Sequence, residues 1–150
     1  MAADDLMAAH DPALVRLLVD RRLGALTTLK RDGRPQLSLV SHHYDEASRT
    51  IRVSLTDDRA KTRNLRRDPR ASYLVSTPSG SGYVVAEGIA SLSEVTRAVD
   101  DAASDALVHL YRAVAGEHPN WDEYRQAMVA DKRLVMSLPV DRVYGWVRPG

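Results

Sequence analysis

Several features are missing from this chain of 150 residues, and each absence excludes a class of protein. There is no cysteine, which excludes disulfides and thiolate metal sites. No apolar run approaches the length of a membrane span or of a signal peptide's apolar core, so we expect a cytoplasmic protein without a membrane partner. Linkers, internal repeats and low-complexity segments are also missing, and the length suits a single globular domain over residues 1–150.

Net charge is nearly absent too, because 21 lysines and arginines against 20 aspartates and glutamates leave only +1. Residues 57–70 nevertheless hold six cations and three aspartates, or +3, so the remainder of the chain carries −2. A nucleic-acid binder usually spreads its basic bias over a whole face, whereas one short basic stretch suits a small anion equally well. The stretch contains no stacking aromatic residue, so we expect no nucleic-acid partner.

Apolar periodicity predicts an α+β protein, mainly β with peripheral helices. A first helix should follow Asp11 and Pro12, and the Asp32–Gly33 pair indicates a hairpin turn. The predicted strands span residues 24–30, 34–45, 50–56, 70–76, 82–92, 133–139 and 141–147, and further helices span 94–115 and 120–131. Antiparallel strands that are interrupted once by helices favour a small barrel over a parallel sheet.

The basic stretch is itself predicted to form a short helix, with Asp57 or Asp58 as its N-cap and Pro69 beyond its end. Arg59 and Lys61 then fall in the first turn, where a cation opposes the helix macrodipole at a cost of roughly 0.3–1 kcal/mol each. A bound anion would offset this cost, because free backbone N–H groups beside cations form a phosphate site. The alternative is a basic helix that only faces solvent.

Polar side chains line two predicted strands near this helix. Gln36, Ser38 and His42 share one face of the second strand, and Ser54 and Thr56 form a similar face on the third, which runs directly into the helix. Two polar strand faces that end at a cationic helix suit an elongated ligand with a flat polar ring at one end and a phosphate at the other.

The opposite face of the second strand carries Leu37 and Leu39. His42 and His43 are neighbours on this strand, so their side chains point to opposite faces and cannot chelate one metal together. We therefore expect no metal site. For His42 two alternatives remain, a place near a substrate or that of an ordinary surface histidine.

Three segments carry a family resemblance. They are GALTTLKRDGRPQLSLV at 24–40, VSLTDDRAKTRNLRRDPRASYLV at 53–75 and YVVAEGIASL at 83–92. Together they resemble the flavin and deazaflavin split β-barrel family, which includes the pyridoxamine-phosphate oxidases, over about residues 20–147. RAKTRNLRRDPRAS, combined with the pattern from Tyr111 to Val129, is most similar to the branch that uses the 8-hydroxy-5-deazaflavin coenzyme F420.

This resemblance implies an FMN-binding-like split β-barrel that forms a homodimer with two cofactors at the subunit interface. It implies that Arg59, Lys61 and Arg63 contact the cofactor's phosphate and tail. The other implied cofactor-binding residues are Gln36 and Ser38 at the ring, Ser54, Leu55, Thr56 and Ala60 along the cofactor, and Tyr83 reaching the ring from the partner subunit.

The resemblance also implies an oxidoreductase that transfers hydride between coenzyme F420 and a small, conjugated organic substrate, while no residue is nominated as acid or base. The acidic oligoglutamate tail of the deazaflavin would give the surplus arginines a partner, which favours it over FMN. Two alternatives stay open. One is an FMN-binding enzyme resembling pyridoxamine-phosphate oxidase, and the other is a cofactor-binding protein with little catalysis.

Overall fold

Helices and strands follow one another closely in the computed structural model, which describes residues 9–149. The elements are, in chain order, α1 (Pro12–Asp20), β1 (Leu23–Leu29), β2 (Pro35–Ser41), β3 (His43–Asp45), β4 (Thr50–Thr56), α2 (Ala60–Arg67), β5 (Arg70–Ser76), β6 (Gly82–Ile89), β7 (Ser91–Leu92), α3 (Ala102–Ala115), α4 (Trp121–Ala130), β8 (Arg133–Pro139) and β9 (Arg142–Val147).

The strands form two antiparallel sheets. The first sheet has the order β2-β1-β5-β6-β9 and the second has the order β3-β4-β8-β7. Their inward faces share one core, which includes Leu26, Tyr73 and Val84 from the first sheet. Ile51 and Met136 belong to the contribution of the second sheet. The predicted α+β fold, an antiparallel split barrel with peripheral helices, is confirmed.

The chain changes sheets at two single residues. His42 separates β2 from β3, and Ala90 separates β6 from β7. The backbone N–H of His42 donates to the Arg22 carbonyl at 2.8 Å, and that of Ala90 donates to the Pro69 carbonyl at 2.8 Å. The predictions of unbroken strands over 34–45 and 82–92 are therefore wrong at these two points.

Helix α3 begins at Ala102, so the predicted helix over 94–115 is wrong for its first eight residues. The backbone N–H groups of Ser93 and Thr96 instead donate to carbonyls of β8, each at 2.9 Å. The side chain of Asp101 then caps the helix by accepting from the backbone N–H of Ser104 at 2.7 Å. Within residues 9–149, no helix combines the length and the apolar character of a membrane span.

The outer face of the first sheet is apolar, and the described residues leave it uncovered. Its large exposed side chains are Leu23, Leu37, Leu39, Leu74, Tyr83, Ile89, Tyr144 and Trp146. We call this surface the apolar face. Their exposed fractions run from 38% at Leu74 to 73% at Leu39. Among the described residues, only one other large apolar side chain is as exposed, that of Val99. The exposed apolar residues are thus gathered on one surface.

Candidate functional site

A cavity of about 430 Å³ lies at the split between the two sheets, where β2 approaches β4. Its volume falls in the range of small-molecule sites, which is about 300–1,000 Å³. The lining residues are Leu39, Val40 and Ser41 of β2, Ser54, Leu55 and Thr56 of β4, Arg59 and Lys61 at the start of α2, and Arg133 of β8. We call it the cationic cavity.

Half of the predicted cofactor-binding residues line this cavity, namely Ser54, Leu55, Thr56, Arg59 and Lys61. They come together because β4 runs directly into α2, so one continuous segment forms the cavity's wall and its end. Two further predicted residues, Ala60 and Arg63, belong to α2 but do not line the cavity. The Arg63 guanidinium donates to the Asp58 carbonyl at 2.9 Å.

Gln36 and Ser38 lie on the partly buried inner face of β2, and neither lines the cationic cavity. The Oε1 atom of Gln36 accepts from Oγ1 of Thr28 at 3.2 Å and from Nδ2 of Asn64 at 3.4 Å, which links the first sheet to α2. The Oγ atom of Ser38 is buried without a hydrogen-bond partner in the described part of the chain. Contact of these two residues with a cofactor ring stays a prediction.

Tyr83 lies on the apolar face, opposite Trp146 in the antiparallel register of β6 and β9. Its side chain is 40% exposed and does not line the cationic cavity of its own chain. Its expected role in the site of a partner subunit therefore stays a prediction.

Three positive charges lie together in the cationic cavity, and no carboxylate of residues 9–149 lines it. Burial lowers the pKa of the Lys61 ammonium, and the positive charges of Arg59 and Arg133 lower it further. The Nε atom of Arg133 forms a long ion pair with the Asp131 carboxylate at 3.8 Å, but it has no hydrogen-bond partner among residues 9–149. A cluster of this kind attracts an anion, because a negative charge would relieve the mutual repulsion of the cations.

Sequence reasoning missed Arg133. It lies directly opposite Thr56 in the pairing of β4 with β8, and its Nη1 atom is 3.5 Å from Oγ of Ser54. No local motif marks this arginine, because only long-range strand pairing brings it to the cavity.

The start of α2 adds backbone donors to the cavity. Its N-cap residue is Arg59, whose side chain makes no capping bond, so the prediction of Asp57 or Asp58 as the N-cap is wrong. The Asp57 carboxylate is used in an ion pair with an arginine later in the same helix. The N–H groups of Ala60 and Lys61 find no acceptor in the part of the chain that the structure describes. Such free N–H groups at a helix start favour anions.

The other cations of the basic stretch bind within the protein. Arg66 pairs with Asp57, and Arg70 pairs with Asp68 at 2.7 Å. Arg67 donates to a backbone carbonyl of β1 at 2.7 Å. These three arginines are therefore bound to groups of the protein itself and are not free cations for an acidic ligand.

His42 is fully buried, so it is not an ordinary surface histidine, and it does not line the cationic cavity. Its Nε2 donates to the Leu18 carbonyl at 2.9 Å, which leaves Nδ1 to accept from the Tyr73 hydroxyl at 2.7 Å. Burial lowers the pKa of His42 and raises the pKa of Tyr73. The pair joins α1 to the first sheet in a neutral hydrogen-bonded network.

Comparison with known proteins gives one family and several structural relatives. The sequence pattern of the family described as pyridoxamine 5'-phosphate oxidase matches residues 10–147. A conserved hypothetical protein from Mycobacterium tuberculosis is 21% identical with a TM-score of 0.69, over 98% of this chain and 85% of that chain. An F420 reductase is 21% identical with a TM-score of 0.63, over 85% of this chain and 93% of that chain. An FAD-binding protein from Mesorhizobium loti is 16% identical with a TM-score of 0.61, over 97% and 94% of the two chains. At these identities, the structural likeness shows a common fold.

Proposed function

Because this chain belongs to the pyridoxamine 5'-phosphate oxidase family, we propose that it is an oxidoreductase that uses the deazaflavin coenzyme F420. The family contains oxidoreductases that bind flavins or deazaflavins. The proposed reaction is hydride transfer to or from a small, conjugated organic molecule. The observation that carries the proposal is the cationic cavity, in which three cations line one space and no carboxylate of the described residues lines it.

The residues of the cavity fit the phosphate of such a cofactor. Arg59, Lys61 and Arg133 would form charge-assisted hydrogen bonds with its oxygens, and the free N–H groups at the start of α2 would add neutral ones. Leu39 offers exposed apolar surface in the same cavity. When bound, the cofactor supplies the hydride chemistry, while the protein's residues bind it, orient it and exclude water.

Two observations favour the deazaflavin over FMN. The stretches RAKTRNLRRDPRAS and 111–129 resemble the deazaflavin branch, and one structural relative is an F420 reductase. We keep Arg63 as a proposed contact of the acidic tail, because it is exposed and its guanidinium has N–H groups besides the one that bonds the Asp58 carbonyl. The alternatives of an FMN-binding enzyme and of a cofactor carrier with little catalysis would use the same cavity.

A titration with FMN and with coenzyme F420 side by side tests the cofactor assignment, followed by absorbance, fluorescence and isothermal calorimetry. We expect tighter binding of the deazaflavin. FMN binding at least as tightly would overturn the coenzyme assignment, and binding of neither would overturn the proposed function. Turnover is then tested by oxidation of the reduced deazaflavin with conjugated enones. Tight binding without oxidation by any of them would favour the carrier.

We further propose that the active form is a homodimer in which a second copy covers the apolar face. Contiguous exposed apolar surface marks an interaction site, and Leu39 places this surface next to the cationic cavity. Light scattering should therefore give about twice the chain mass of 16.6 kDa. Leu37→Asp should dissociate the dimer, whereas Val99→Asp, at an exposed apolar residue outside the face, should not. A monomeric wild type at micromolar concentration would contradict the proposal.

A further inference from the structure

A second cavity, of about 320 Å³, lies between helix α3 and the outer face of the second sheet. It shares no lining residue with the cationic cavity. Its apolar side includes Leu92 of β7, Ala106 and Leu110 of α3, and Val135 of β8. The volume is at the lower end of the range for small-molecule sites, about 300–1,000 Å³, so the cavity suits a ligand with roughly one ring.

The polar side of this second cavity is rich in hydrogen-bond donors. Arg52 uses one N–H for the Asp45 carboxylate at 3.1 Å, and a guanidinium has five. His43 and His109 also line the space, together with Ser91 and Ser137, and these four side chains bond to no group within residues 9–149. Among the residues that the structure describes, no carboxylate lines this cavity.

We propose that this cavity binds a small apolar molecule that bears a carboxylate. Guanidinium, imidazole and hydroxyl groups can all donate to a carboxylate, which only accepts when ionised. The apolar body would pack against Leu92, Ala106 and Leu110, and the carboxylate would lie toward Arg52. The proposal does not rest on the cofactor assignment, because the two cavities have separate walls.

Titration of the isotope-labelled protein with benzoate and with benzamide, its neutral counterpart, tests this site by the shifts of amide resonances. Benzoate should shift the resonances of residues 91–93 and 106–110 and should bind at least about tenfold more tightly than benzamide, because only benzoate forms charge-assisted hydrogen bonds. Equal affinities would overturn the assignment of a carboxylate. Shifts confined to other parts of the protein, or none at millimolar benzoate, would overturn the site.

Two variants locate the binding. Ala106→Leu fills the cavity from α3 and should abolish benzoate binding, whereas Ala115→Leu, at an exposed position of the same helix, should leave it unchanged. Ser137→Leu fills the cavity from β8 and should also abolish benzoate binding, so it replaces Ala106→Leu if that variant does not fold. Wild-type affinity for benzoate in either folded variant would overturn the proposal.

Discussion

Replacing Lys61 with methionine should stabilise the ligand-free protein and at the same time weaken cofactor binding. Burial lowers the pKa of Lys61, with further lowering by Arg59 and Arg133. A lysine whose pKa is lower in the folded state destabilises the fold wherever the unfolded lysine is protonated, and this includes neutral pH. Methionine keeps an apolar stem of similar length and removes the charge.

The two expected effects differ in size. Removing a cation from the first turn of α2 should contribute about 0.3–1 kcal/mol of stability, or a rise of about 1–4 °C in Tm for a chain of this length. A lost charge-assisted hydrogen bond to phosphate costs about 1.5–3 kcal/mol, which corresponds to a cofactor affinity weaker by about 10- to 150-fold. The wild type should also lose affinity more steeply with added salt than the variant does.

Thermal melting without ligand and calorimetric titration with coenzyme F420 measure the two effects separately. Lys30→Met is the matched control, because Lys30 lies at the hairpin turn and lines neither cavity. It should change neither quantity. Unchanged cofactor affinity in Lys61→Met would remove Lys61 from the site, and an unchanged Tm would refute the electrostatic explanation of its position.

Three further predictions concern stability. Burial lowers the pKa of His42, so at mildly acidic pH the unfolded chain binds a proton there that the folded protein does not. The free energy of unfolding should therefore fall by up to about 1.4 kcal/mol per pH unit below about pH 6.5. Urea unfolding should show a shallower pH dependence in His42→Gln, and parallel curves for variant and wild type would contradict this. Gly24→Ala should lower the free energy of unfolding by about 1–3 kcal/mol, because the new Cβ would lie 2.6 Å from the Tyr73 hydroxyl oxygen and 2.7 Å from the Leu74 carbonyl oxygen. An unchanged urea midpoint would contradict this prediction. Asp101→Ala should remove about 1–2 kcal/mol with the N-cap of α3, whereas the exposed Asp100→Ala should stay within about 0.5 kcal/mol in the same assay. Backbone N–H groups lower the pKa of Asp101 to about 2, so its contribution should persist above about pH 4 and be lost as the pH falls toward 2.

Local sequence pattern predicted the elements well because most of them follow from periodicity and turn chemistry. In β4, the alternation of Ile51, Val53 and Leu55 with polar residues matches the buried side of the strand. The two points at which the chain changes sheets within a single residue could not be predicted in this way. At His42 and Ala90 the backbone bonds to residues far along the chain, and a local pattern contains no information about such partners.

In the candidate site, too, local motifs could be predicted from the sequence and long-range contacts could not. Ser54 and Lys61 belong to one strand-to-helix segment, so a motif in that segment predicted both as neighbours in the cationic cavity. Arg133 was missed because strand pairing supplies it from another part of the sequence. The count of cations in the basic stretch overstated the charge available to a ligand, since Arg66 and Arg70 are paired with aspartates.

Leu39 belongs to two surfaces at once, because it is 73% exposed on the apolar face and also lines the cationic cavity. Whatever covers the face therefore alters a wall of the cavity, and the two binding events are linked. Such linkage is reciprocal, so association at the face changes the affinity for the ligand by the same factor by which the ligand changes the affinity of association. For a dimer, ligand affinity then depends on protein concentration. The abundance of the protein, as well as that of its cofactor, would set how much of it is loaded.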